Sequence, residues 1–222
     1  MEKLFIDIET IPTQKPGFLD EIMGTIAPPG NITKQESKDK WMAENADQAA
    51  KEKYLKTSFD GTHGEIVCIG WAVDDASPQT VFRTLGQSET TLLIDFYEII
   101  KEELQFCPVY IGHNVLNFDL RFLYHRSVIN AIKPPFLLRQ DTRYNGEFVF
   151  DTMLAWAGWG NRISLKNLCA ALDVPVKSNG LDGSKVWDYV QEGRMDEVAE
   201  YCREDVAATR EVYRKMTFGG MM

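Results

Sequence analysis

The stretch Glu65–Val73, EIVCIGWAV, constrains the fold more than any other part of this chain. Apolar residues stand at both odd and even positions, so a strand made from it has no wet face. Such a strand belongs inside a sheet covered on both sides. A turn at Asp74-Asp75 follows, and residues 80–84 are expected to return as the next strand. Leu4, Phe5 and Ile6 lead another strand near the N-terminus, stopped at Ile11-Pro12 because proline cannot donate to a ladder. These three are expected to form an antiparallel meander. Helix and strand then alternate. Ser88 caps a helix whose Leu92, Leu93, Phe96, Tyr97, Ile100 and Leu104 share one face. Residues 108–112 read as a short buried strand, 117–130 as a helix, and 148–151 as a brief strand before a short helix. A helix over 164–172, a loop over 174–184 and a last helix over 195–216 complete the order. It predicts an α/β fold: a mixed sheet, three antiparallel strands then parallel ones, with helices on both faces.

Residues 13–62 interrupt this order between the first two strands. Pro16, Gly17, Gly24, Pro28, Pro29 and Gly30 make the first half irregular. The second half, about 36–56, is polar and rich in Ala, Lys and Glu, and reads as one or two surface helices with Trp41, Met42 and Tyr54 as docking residues. The chain of 222 residues is otherwise read as one domain. No apolar run is long enough to span a membrane, and no secretory signal opens the chain. Cys68, Cys107, Cys169 and Cys202 are widely spaced and form no C-x-x-C pair, which suggests reduced thiols in a cytoplasmic protein. The net charge of −9 argues against a broad non-specific grip on nucleic acid. Residues 121–185 nevertheless hold nine Lys/Arg against five Asp/Glu, a local +4 that suits a short length of polyanion and equally suits chance.

Three places carry acids in unusual company. Asp7 and Glu9 flank Ile8 on the first strand, so they project from one face. Two adjacent anions repel and raise a pKa unless cations neutralise them. The alternative is a strand end running into solvent. Asp119 lies where a buried strand hands over to a helix, the place where open α/β sheets bind ligands; it could equally be a helix cap or dipole partner. Tyr201 and Asp205 stand one helical turn apart beside a stripe of Val198, Cys202, Val206, Thr209 and Tyr213.

Together, Asp7-x-Glu9, Asp119 within Asn114-x-x-x-Phe118-Asp119, and Tyr201-x-x-x-Asp205 resemble the three exonuclease motifs of the DEDD superfamily of 3′–5′ exonucleases, the DnaQ-like enzymes of the ribonuclease H-like fold. The tyrosine branch is indicated, because Tyr201 stands four residues before Asp205, whereas Glu200 occupies the place where the other branch has histidine. The segments 148–153, 164–166, 177–186 and 201–206 are similar to stand-alone exonucleases related to the proofreading domain of family B DNA polymerases. No polymerase domain is expected. The resemblance implies a ribonuclease H-like five-stranded sheet and metal-dependent hydrolysis of phosphodiester bonds from a 3′ end. It implies two ions, Mg²⁺ or Mn²⁺, held by Asp7, Glu9, Asp119 and Asp205, with Tyr201 orienting the attacking water. Oxygen ligands without His or Cys suit such hard cations. Thr10, Asn114 and Phe118 are candidates for contacting the terminal nucleotides, Phe118 by stacking or else as core. Asp151 is taken as a supporting residue, and Lys177 and Lys185 as phosphate contacts or surface charges. His113, His125 and His63 are each alone. Single-stranded DNA is the favoured substrate and RNA is possible; a protein partner is conceivable but not readable. The competing functions are a ribonuclease H-like endonuclease, an RNA-directed exoribonuclease and an inactive nucleic-acid-binding module.

Overall fold

The computed structural model describes residues 1–139, 146–176 and 181–219. Five strands form one sheet in the order β3-β2-β1-β4-β5: β1 is Lys3–Ile11, β2 Glu65–Val73, β3 Gln79–Phe82, β4 Val109–Gly112 and β5 Val149–Asp151. Eight helices occur among the described residues: α1 Phe18–Met23, α2 Gln35–Leu55, α3 Glu89–Glu103, α4 Asp119–Ile129, α5 Thr152–Ala157, α6 Leu165–Ala171, α7 Val186–Gln191 and α8 Met195–Met216. β1, β2 and β3 run antiparallel in sequence, and β4 and β5 are parallel to β1. The expected mixed sheet is therefore what forms. β2 is buried from Ile66 to Ala72, as an all-apolar strand requires.

The alternation of β1 divides the molecule. Leu4, Ile6 and Ile8 pack with Leu93 and Phe96 of α3 and with Leu120 and Leu123 of α4. Phe5, on the opposite face, packs with Ala72, Ile111 and Val206. The same face buries Cys68 and Val67 against Val198 and Cys202 of α8. A period of two thus sends Asp7 and Glu9 toward α8 and Ile8 away from it. α8 is helical for clear reasons. Its apolar residues recur at i, i+4, i+8, and Asp196 and Glu197 in the first turn with Arg214 and Lys215 in the last suit the helix dipole.

Two helices were not expected. α1 lies in the segment read as irregular: it has only six residues, entered through Gly17 at φ 77° and closed at Gly24, too short for a periodic signal. α7 is equally short, and buries Val186 and Val190 against Leu181 and Met195. α2 matches the expected polar helix. It buries only Ala46 and Ala50, and Tyr54 anchors its end by donating to the Thr13 carbonyl at 2.9 Å. No described helix is long and apolar enough to cross a membrane.

A buried ion pair locks the opposite side of the sheet. Arg126 of α4 meets Glu89 of α3 through Nε and Nη2, with Nη2 to Oε2 at 2.6 Å. Glu89 also accepts from the Ile66 N–H at 2.7 Å and from Asn130 Nδ2 at 2.9 Å. Arg126 Nη1 reaches the Gly61 carbonyl at 3.4 Å. One clasp therefore joins β2, α3, α4 and the end of the segment that separates β1 from β2.

Candidate active site

Asp7 and Glu9 face Gly70 and Cys68 across the β1–β2 ladder. A Cβ on Gly70 would lie 2.8 Å from Cys202 Sγ, so only glycine lets α8 approach the sheet here. The Cys202 sulfur then sits 3.5 Å from both the carbonyl oxygen and Oδ2 of Asp7. Ligand-type atoms of Asp7, Glu9 and Cys202 all lie within 4.8 Å of one another. Burial pushes the Cys202 thiol up, and Cys68 and the two acids push it further. It is therefore a protonated donor toward Asp7, not a thiolate.

Asp119 is the first residue of α4, and Phe118 occupies the cap position. Its carboxylate is buried, and Oδ1 accepts the Ile8 N–H at 3.1 Å. β4 pairs with β1 only over Lys3–Phe5, so this backbone donor lies beyond the ladder and Asp119 satisfies it. The bond ties the β4–α4 junction to β1 between its two acids.

The junction itself is held by Asp151. Its fully buried carboxylate accepts from the N–H groups of Asn114, Leu116, Met153 and Leu154 at 3.0–3.1 Å. Asn114 adopts a left-handed φ of 67°, which asparagine tolerates better than most residues. A Cβ on Gly112 would meet Val115 Cβ at 2.6 Å, so the strand can turn this tightly only without one. His113 stands between Thr152 Oγ1 and the Ile163 carbonyl, each at 2.9 Å. Burial lowers its pKa, which fits a neutral ring, and the Thr152 hydroxyl lies between His113 Nδ1 and the Gly112 carbonyl, at 2.9 and 3.1 Å.

Tyr201 and Asp205 lie one turn apart on α8, and each perturbs the other's titration. Burial pushes the Tyr201 hydroxyl up, and the charges of Asp205, Glu9 and Asp7 add to it. The phenol stays protonated and cannot serve as a base near neutral pH.

The charges of Asp119 and Asp205 are felt by Asp7 and Glu9. Burial raises Asp7 well above the usual range, and Glu9, Asp205 and Asp119 raise it further. Burial raises Glu9 likewise, with Asp205 as its strongest acidic neighbour. Asp119 is pushed up to about 7, chiefly by burial and against its backbone hydrogen bonds. Asp205 is pushed up to about 6 by burial, with the Tyr201 hydroxyl opposing. Among the described residues, none of the four pairs with Lys, Arg or His. Buried carboxylates without a counter-charge are costly, and a hard divalent cation is the partner this oxygen-rich donor set fits.

The three acidic motifs thus come together. Asn114 and Phe118 line a cleft beside them, and Phe118 also packs against Phe122 with ring centroids 5.5 Å apart. Thr10 is committed otherwise: its hydroxyl donates to the Ser58 carbonyl at 2.7 Å, tying the intervening segment to β1. Lys185 sits 3.9 Å from Asp182 at the surface, and Lys177 lies outside the described residues. Sequence reasoning took Cys202 for an ordinary core thiol. The available signal was its place on the α8 stripe, one residue after Tyr201.

A family model described as "predicted 3′-5′ exonuclease related to the exonuclease domain of PolB" matches residues 52–221. The chain belongs to this family. The matched stretch carries Asp119, Tyr201 and Asp205, whereas Asp7 and Glu9 precede it and are delivered by β1. Among solved structures, the family B DNA polymerase from the hyperthermophilic archaeon Pyrobaculum calidifontis is similar at a TM-score of 0.57 and 13% identity, over 98% of this chain and 24% of that one. At such identity the likeness speaks for the fold, here ribonuclease H-like, and this chain spans about a quarter of that polymerase. No curated protein matches the chain. Family membership makes it an exonuclease-type phosphodiester hydrolase, with nucleic acid as the implied substrate.

Proposed function

We propose that this family member is a single exonuclease domain, with residues 13–62 inserted between its first two strands, that removes nucleotides from the 3′ end of single-stranded DNA. Asp7, Glu9, Asp119 and Asp205 would hold two divalent ions, Mg²⁺ or Mn²⁺. The observation that carries the reading is the gathering of two buried carboxylates, Glu9 and Asp119, and two half-buried ones, Asp7 and Asp205, with no cationic partner among the described residues. When bound, such ions supply a water-derived nucleophile at neutral pH and neutralise charge on the attacking and leaving oxygens. Four carboxylates at about −4 and two ions at about +4 leave a site near neutral before substrate arrives.

The chain's own residues do the rest. Tyr201, one turn before Asp205 and protonated, would use its phenol to hold and orient the attacking water. Cys202 donates to Asp7 and fixes its rotamer, with Oδ2 turned to the sulfur. Asn114 and Phe118 border the cleft in which the terminal nucleotides would lie. Thr10 contributes through backbone and lone pairs, since its hydroxyl hydrogen is directed to Ser58.

The test is digestion of 5′-labelled single-stranded DNA, duplex DNA and RNA of matched sequence in Mn²⁺, with and without chelator. The reading expects a ladder that shortens one nucleotide at a time, chelator sensitivity, and the fastest loss on single-stranded DNA. Immediate internal fragments would overturn the exonuclease assignment, and faster loss on RNA would overturn the substrate.

A further inference from the structure

We infer that the cleft bearing Phe59 and Trp159 is a binding site for unpaired bases of the substrate strand, with Arg162 placed to meet its phosphates. The inference rests on the nuclease reading above and extends it to residues outside the acidic motifs. The cleft has a volume of about 520 Å³ and is lined by Phe59, Asn114, Asn117, Phe118, Trp159 and Arg162 among others. It is therefore continuous with the residues proposed to border the terminal nucleotides.

Its chemistry is that of a strand-binding groove. Phe59 is 68% exposed and Trp159 52% exposed, and two segments a hundred residues apart bring these rings to one cleft. Bases stack on such rings whatever their identity, because every base has a π-face. In a duplex those faces are already covered by neighbouring base pairs, so the site selects unpaired bases. Arg162 is exposed and forms no ion pair among the described residues, on a chain of net charge −9. A cation with no ion pair among the described residues, lining the same cleft as two exposed rings, complements a polyanion with flat bases. Asn114 and Asn117 add amide groups that can meet base edges or sugar oxygens.

Both aromatic side chains are mounted on braced backbone. Phe59 ends the 3₁₀ turn Lys56–Phe59. That turn is fixed to β1 by Thr10 to Ser58 at 2.7 Å and to its continuation by the Thr13 N–H to Thr57 Oγ1 at 3.0 Å. The anchor point is the residue after Glu9, so Phe59 is registered to the acids. Trp159 sits between Gly158 at φ 78° and Gly160 at φ 81°. Asn161 Nδ2 closes that loop onto the Ala157 carbonyl at 3.1 Å, and His113 ties Ile163 to the β4–α4 junction. The segment between β1 and β2 thereby contributes one wall of the substrate path.

The experiment compares Phe59→Ala, Trp159→Ala, the double variant and Arg162→Gln on three substrates. These are a single-stranded DNA 12-mer, the same 12-mer with abasic residues at its three 3′-proximal positions, and the p-nitrophenyl ester of thymidine 5′-monophosphate, which has no neighbouring base. Each aromatic truncation is expected to raise KM for the normal 12-mer by about tenfold, with a much smaller change in kcat. The loss should be several-fold smaller on the nucleotide ester, and Phe59→Ala and Trp159→Ala should add little to the loss wild type already suffers on the abasic strand. Arg162→Gln should flatten the salt dependence of KM on both strands. An unchanged KM on the 12-mer, or equal losses on all three substrates, would overturn the inference. If wild type hydrolyses none of the substrates, the nuclease reading fails on its own. Anisotropy of a labelled 12-mer in chelator then judges the cleft separately: binding as tight in the double variant as in wild type overturns it, and tenfold weaker binding sustains it.

Discussion

Asp119→Asn separates the two roles of one carboxylate. Asn keeps an Oδ1 acceptor for the Ile8 N–H at the 3.1 Å contact but removes a buried negative charge. Burial pushes Asp119 from 3.8 to about 7 in the folded state. Between about pH 4 and 7 the native protein therefore keeps a proton that the unfolded chain has released. More protons bound to the native state means that stability falls as pH rises through this window, the reverse of an acid stabilised by a salt bridge. The shift of about 3 units corresponds to about 4 kcal/mol at most above pH 7, at 1.36 kcal/mol per unit. Relief of even half of that would raise Tm by about 4–8 °C in a chain of this size. In chelator at pH 8 the variant should thus melt above wild type, and at pH 5 the two should converge because wild type is then protonated. With millimolar Mn²⁺ the order should reverse. Wild type should gain more at pH 8 than at pH 6, since ions displace the bound protons, while the variant gains little and loses about a hundredfold or more in nuclease rate. Thermal melts over pH 5–8 in chelator and in Mn²⁺ measure all of this. A variant that melts below wild type at pH 8 in chelator, or a gap that does not change with pH, would refute the reasoning.

Further outcomes are expected from the same site and from its supports. Asp7→Ala should lower cleavage about a thousandfold or more while circular dichroism and the melting transition in chelator are retained; a rate near wild type would remove Asp7 from the chemistry. Tyr201→Phe should cost about tenfold in kcat and Asp205→Ala far more, because the first loses a water contact and the second a proposed ligand; equal losses would contradict the roles given. The nuclease rate should climb from pH 6 to 8 at fixed subsaturating Mn²⁺, as Asp205 and Asp119, at about 6 and about 7 without metal, must lose protons to bind it, and a flat profile would count against this. Arg126→Ala strands the Glu89 carboxylate in the interior and should destabilise by about 3–5 kcal/mol in urea titration, with little change if the pair were dispensable.

Much of this was legible in the sequence for a physical reason. An all-apolar Glu65–Val73 can only be an interior strand, and the i, i+4 stripe of α8 can only be a helix face, so the sheet and its cover followed from periodicity. Each acid alone stayed open between a solvated or capping role and a functional one, and only the resemblance of Asp7-x-Glu9, Asp119 and Tyr201-x-x-x-Asp205 together to the exonuclease motifs set them apart. What periodicity cannot carry is short or distant. α1 and α7, with six residues each, hold less than two turns of pattern. The Thr10–Ser58 tether spans 48 residues, and the four backbone donors collected by Asp151 come from both sides of a gap of more than 30. Nothing local announces such bonds.

The structure adds a criterion that the sequence lacked, because the buried and half-buried acids here fall into two kinds. Glu89 is met by Arg126, Asn130 and the Ile66 N–H, Glu65 by Arg83 at 2.5 Å, and Asp151 by four backbone donors. Their charge is answered inside the chain, and they act as rivets. Asp7 receives a thiol and Asp119 a backbone N–H, and none of Asp7, Glu9, Asp119 and Asp205 meets a cation among the described residues. Donors of that kind orient carboxylates without neutralising them. A fold that spends one class of acid on holding the β4–α4 turn and α3–α4 rigid can keep the other class at fixed positions against mutual repulsion. Asp151 and Asp119 show why residue type alone could not separate the two: both are buried aspartates at the start of a helix beside the same loop. Asp151 turns its oxygens to the loop's own N–H groups, and Asp119 turns one oxygen to β1 while its charge remains unanswered.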